Sequence, residues 1–186
     1  ISINLVLSIL LYIYKKKNMK KILLLFFVTS ILISCDNTTK VTVEEEGPAP
    51  GYMISNGEKI SARDANPANL EIWEKYIDAH NNKDLETIAS MNNDSILVNA
   101  WDGRNIQGNN AHIEALQAWY DEGNPEWNIF FSYSMKVDGQ KGEWVISGME
   151  INDTVDGKEV IVQDVTDAYI VDGKMRRIIV YRKENL

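Results

Sequence analysis

The spacing of apolar positions changes twice along this chain. Two largely apolar runs come first, at residues 1–14 and 22–33, with lysines between them. From residue 70 the spacing becomes helical. Leu70, Trp73, Tyr76-Ile77 and His80 fall three or four apart, on one helical face. Asn66-Pro67 opens that helix, Asn as cap and Pro at the first helical position. "HNNKD" breaks it, and Asp84 caps a shorter helix with Leu85, Ile88 and Met91 on one face. "NND" ends the second helix, "SILVNAW" reads as a strand, and Asp102-Gly103 as a turn. Asn109 or Asn110 opens a third helix, with Ile113, Leu116, Trp119 and Tyr120 at helical spacing, and "EGNP" ends it. Strand patterns then take over in "EWNIFFSYSMKV", "GEWVISGMEIN", "KEVIVQDVTDAYIV" and "KMRRIIVYRKE". Their joints, "DGQKG", "TVDG" and "DG", carry Asp-Gly, a strong hairpin signal between β-rich runs. Helices first and an antiparallel meander last predict an α+β fold. The expected form is a cone: three N-terminal helices packed on a strongly curved, mostly antiparallel sheet, with a hollow between them.

The second apolar run changes the cellular picture. Lys20-Lys21 precede twelve residues, Ile22 to Ile33. At ~1.5 Å per residue these span about 18 Å, short of the ~30 Å hydrocarbon core, which favours a signal peptide over a membrane span. "LISC", Leu32 to Cys35, resembles the bacterial lipoprotein box. That resemblance implies a signal peptide over 19–34 and a diacylated Cys35 as the mature N-terminus, lipid-anchored in the bacterial cell envelope on the periplasmic face or cell surface. Two acyl chains suffice for a stable anchor. Residues 1–18 precede the first methionine and read as an upstream extension outside the mature protein, or else as a membrane helix of their own. Residues 35–66, with "EEEGPAPG", read as a flexible acidic tether, and 67–186 as one domain.

Charge narrows the partners. The chain has 19 basic and 27 acidic residues, and the five lysines of residues 1–34 face no acidic residue there, leaving 14 against 27 in the remainder. A surface near −13 repels phosphate backbones, so nucleic acid is not an expected partner. Cys35 is the one cysteine, so no intrachain disulfide forms. With two histidines and that cysteine, no ligand set has zinc spacing, and neither a metal nor a cofactor is expected.

Three stretches together resemble the SnoaL-like branch of the nuclear transport factor 2-like superfamily: "WEKYIDAHNNKDLETIASMNNDSILVNAWDG", "IQGNNAHIEALQAW" and "DAYIVDGKMRRIIVY". The resemblance covers residues 67–183. It implies isomerases, cyclases, dehydratases and hydrolases as relatives, beside members that only bind or assemble, so the site must decide. The ketosteroid isomerases of that superfamily use a helix Tyr and a protonated strand Asp as an oxyanion hole, with a second Asp as base. By resemblance Tyr76 takes the Tyr position and Asp167 the oxyanion-hole position. The base position falls on Ala100, or on Asn99 with a one-residue shift, and neither can take a proton from carbon.

Tyr76 and Asp167 are therefore expected to meet in the hollow and bind a ligand carbonyl or hydroxyl, or else only each other. Asp164, three residues before Asp167, must point to the opposite sheet face. Asn99 and Trp101, two apart, are expected to line the hollow together. Trp119 and Phe131 complete the candidate ligand set, with Tyr133 on the face of Phe131. His80 reads as a helix-end histidine favoured by the macrodipole, and His112 as a solvated one in the first turn of the third helix. Binding of a small, largely apolar or carbonyl-containing ligand is the first reading. The alternatives are a cyclase, dehydratase or isomerase-like enzyme, needing a further acid or base such as Asp164, Asp102 or His80, and a homodimeric interaction module pairing through the sheet face.

Overall fold

A computed structural model describes residues 47–183. The expected signal peptide, lipidated Cys35 and upstream extension lie outside the described residues. The elements run β1 (Gly51–Ser55), β2 (Glu58–Asp64), α1 (Ala68–Asn81), α2 (Leu85–Met91), β3 (Asn92–Asn99), β4 (Asn105–Gln107), α3 (Asn109–Glu122), β5 (Glu126–Val137), β6 (Glu143–Val155), β7 (Lys158–Val171) and β8 (Lys174–Lys183). All eight strands join one sheet in the order β1-β2-β5-β6-β7-β8-β3-β4. The pairings are antiparallel except β3 with β8, which is parallel. The three helices and this sheet make an α+β fold.

Local chemistry explains most boundaries. The Asn66 side chain accepts from the Ala68 N–H, while Pro67 itself holds helical angles at the start of α1. Asp84 caps α2 by accepting from the Thr87 N–H at 2.9 Å. Asn92 ends α2 in an already extended conformation and so opens β3 directly. Gly108, at φ 92°, turns the chain from β4 into α3.

The tether expectation needs correction. Residues 51–64 form a hairpin whose second strand pairs with β5, Ala62 opposite Val137. Its turn is Asn56-Gly57, both at positive φ, the geometry a two-residue hairpin loop requires. The charged and Pro/Gly-rich composition before it hid an Asn-Gly dipeptide flanked by alternating residues, "YMISNGEKIS". The folded part thus starts before residue 67, and two strands precede the first helix.

The helices cover one face of the sheet. Ile88, Ile96, Val145, Ala168 and Met175 are fully buried between the layers. The other face carries a row that crosses four strands: Phe131, Gly148, Val165 and Tyr181 are mutual neighbours in register. The rings of Phe130 and Phe131 lie where a side chain on residue 148 would stand, which explains glycine there.

Candidate functional site

Between helices and sheet lies a hollow of about 460 Å³. Helix α1 contributes Trp73, Tyr76, Ile77 and His80, and α3 contributes His112, Ala115, Leu116 and Trp119. The sheet contributes Val98, Trp127, Met149, Ile151, Asp164, Thr166, Ile178, Val180 and Arg182. The walls are mostly apolar and aromatic, with a few convergent polar groups, as in small-molecule sites.

The deepest polar groups form one chain of hydrogen bonds, and two backbone carbonyls fix its direction. Asn109 Nδ2 donates to the Ala89 carbonyl at 3.0 Å, so Asn109 Oδ1 is the acceptor end. Asn92 Nδ2 donates to that oxygen at 2.9 Å, and Asn92 Oδ1 accepts from the Tyr76 hydroxyl at 2.7 Å. The second hydrogen of Asn92 Nδ2 meets His112 Nδ1 at 3.1 Å. That nitrogen must therefore be a lone pair, and neutral His112 carries its proton on Nε2. His80 Nδ1 lies 2.8 Å from the Tyr76 carbonyl, which can only accept, so His80 is protonated on Nδ1 and keeps its lone pair on Nε2.

Burial keeps both rings neutral. It lowers the His80 pKa to about 4, against the bond to the Tyr76 carbonyl, which raises it. His112 is also lowered to about 4, by burial first and by the nearness of His80 second. Burial pushes the Tyr76 phenol well above its usual value, with Tyr120 adding to the rise and the Asn92 bond opposing it. The Tyr76 and His80 rings are 4.5 Å apart between centroids, and the edge of Trp127 meets His80 at 5.3 Å.

Toward the sheet's other end, Arg182 clamps Asp164 through Nε at 2.8 Å and Nη2 at 2.9 Å. Asp164 is 2% exposed, and the guanidinium that pairs with it also lies 4.4 Å over the Trp101 ring. Thr166 Oγ1 and Trp73 Nε1 line the same hollow, buried and without a hydrogen-bond partner among the described residues. Such groups cost free energy unless something completes them.

The predicted site residues divide. Tyr76, Trp101 and Trp119 border the hollow. The Trp119 N–H is already held by Asp153 Oδ2 at 2.7 Å. Asp167 does not meet Tyr76. Along β7 the inward residues are Asp164, Thr166, Ala168 and Ile170, so alternation turns Asp167 to the outer face, where it accepts from the Tyr181 hydroxyl at 3.2 Å. Its pKa is raised by burial, with the Tyr181 bond opposing, but this occurs outside the hollow. Asn99 also faces outward, bonded to Asn105 and accepting from Arg177 Nε at 2.9 Å. Its expected partnership with Trp101 fails because β3 stops at Asn99 and Trp101 sits in the following turn.

Phe131 is exposed on the outer face beside Tyr133. A bulge between Ile129 and Phe131 shifts the strand's phase, so Ile129 pairs with buried Met149 while Phe131 pairs with Gly148. The two histidines, expected at a helix end and in solvent, are both buried. Sequence reasoning missed Asn92 and placed His112 in solvent, where the structure buries it. Asn92 follows the apolar face of α2 directly, a position that becomes interior only when α2 turns into β3.

No protein-family model matches the sequence, and no match is found among curated proteins. Solved structures do match. A protein assigned as a SnoaL-like polyketide cyclase from Jannaschia sp. CCS1 superposes with TM-score 0.54 at 15% identity, over 65% of this chain and 91% of that one. A protein assigned as a ketosteroid isomerase from Kribbella flavida DSM 17836 gives 0.50 at 17%, over 62% and 78%. An LEH-like epoxide hydrolase from M. tuberculosis gives 0.52 at 16%, over 61% and 80%. The chain shares the fold of these proteins.

Proposed function

We propose that this domain binds a small, largely apolar molecule in the hollow and is held to a membrane of the bacterial envelope through lipidated Cys35. What carries the binding reading is the combination of an apolar hollow of about 460 Å³ with buried Thr166 and Trp73 polar atoms that lack partners among the described residues. Aromatic walls suit a flat ligand. Catalysis at carbon is the weaker reading. The Asp164 carboxylate has both oxygens engaged by Arg182, and a base with a pKa of about 4, as at His80, drives proton abstraction poorly at neutral pH.

Titration with naphthalene, followed by tryptophan fluorescence, tests the reading. Saturable quenching is expected, since Trp73, Trp101, Trp119 and Trp127 all border the space. Ala115→Trp places an indole into it and should weaken binding by about tenfold or more, the loss of ~1.4 kcal/mol. Linear quenching without saturation, or equal affinity in the filled variant, would remove the hollow as a binding site.

We infer a second copy of the chain as the cover of the outer sheet face. Phe130, Phe131, Tyr133, Val165 and Tyr181 are exposed there together, a contiguous apolar patch of the kind that marks contact sites. Light scattering should find a dimer that Tyr181→Glu dissociates; a monomer at every concentration would refute the pairing.

A further inference from the structure

We propose that His80 and His112 act as a matched acceptor and donor for one hydroxyl group, so that the hollow selects an alcohol or phenol over a ketone or ether. This rests on the binding reading above and names its ligand class.

The argument starts from the forced tautomers. The Ala89 carbonyl sets Asn109, Asn109 sets Asn92, and Asn92 leaves His112 with its proton on Nε2. The Tyr76 carbonyl independently leaves His80 with a lone pair on Nε2. Among the described residues, no hydrogen bond reaches either Nε2. Both rings line the hollow, their centroids 6.3 Å apart. One oxygen with hydrogen bonds of about 2.8 Å to each side joins nitrogens up to about 5.6 Å apart, so the pair requires both Nε2 atoms to turn inward from the ring centres. Only a group that donates and accepts at once satisfies both. A carbonyl or ether oxygen could accept from His112 but would leave the His80 lone pair unmet, and a buried unmet group carries its full desolvation cost. A charged group seated between the two rings would meet no opposite charge from them, since both are neutral. The apolar walls then receive the rest of the molecule.

The test uses three probes on the purified protein: naphthalene, 2-methoxynaphthalene and 2-naphthol. The expected order of affinity is 2-naphthol first, by about tenfold over the ether, one net hydrogen bond's worth. His80→Phe should erase the preference for 2-naphthol over the ether. Imidazole ¹⁵N shifts of the unliganded protein give a reading that needs no variant. They should show Nδ1–H on His80 and Nε2–H on His112, and 2-naphthol should shift His80 Nε2 as it accepts the proton's hydrogen bond. Naphthalene binding without discrimination among the three probes, or the opposite tautomer on either ring, overturns the pair and spares the hollow. Failure of naphthalene itself to bind removes both.

Discussion

Asn92→Leu should destabilise the domain by about 4 kcal/mol, because two or more buried polar groups lose their partner at ~1–3 kcal/mol each. The side chain is 1% exposed and nearly the volume of leucine, so a cavity contributes little to the loss. Tyr76 would keep a buried hydroxyl with no acceptor, and His112 a lone pair with no donor. At about 4 °C per kcal/mol for a domain of this size, the midpoint of thermal unfolding falls by roughly 15 °C. Asn92→Asp separates networks from mere packing. A carboxylate beside His112 Nδ1 favours a proton on that nitrogen, so the His112 pKa should climb from about 4 past the usual imidazole value. A leucine variant as stable as the parent, measured by urea unfolding, would mean that the chain of hydrogen bonds contributes nothing to the fold.

Stability should also drop steeply as the solution is acidified below pH 6.5. His80 and His112 have folded-state pKa values of about 4, below the ~6.5 of an unfolded chain. Between those values the unfolded chain binds more protons than the folded one. The contribution is therefore complete above pH ~6.5 and is lost progressively as the pH falls toward 4. The shift corresponds to about 3 kcal/mol for each ring, as an upper bound where two rings interact. Asp167 works in the opposite direction, since its raised folded-state pKa favours the folded chain where that carboxyl is protonated. It is partly exposed, so its opposing slope is the smaller. Urea midpoints at pH 7.5, 6.5, 5.5 and 4.5 give the curve. His112→Phe should remove about half of the slope. A flat curve from pH 6.5 to 4.5 would place both imidazoles in water.

The strand and helix boundaries were legible because they depend on local chemistry. Asp84 caps its own helix, and Asp156-Gly157 and Asp172-Gly173 turn at positive φ as the dipeptides foretell. Asn56-Gly57 carried the same signal, overlooked beside the acidic, proline-bearing stretch before it. Trp101 and Trp119 at the hollow were accessible to reasoning from size and amphipathicity. Asp167 was not, since both faces of β7 carry apolar residues and alternation alone says only that Asp164 and Asp167 part company. The facing position of Arg182 across β8 decides which carboxyl goes inside.

What the amino-acid order determined by itself is the succession of elements, their caps and turns, the acidic surface and the α+β class, all of which follow from contacts a few residues apart. Tertiary structure alone decided which side of each strand faces the hollow and which hydrogen His112 keeps. A bulge of one residue reverses a strand's faces, and the His112 tautomer is set by a donor 20 residues away, Asn92, which Asn109 and Ala89 orient through space.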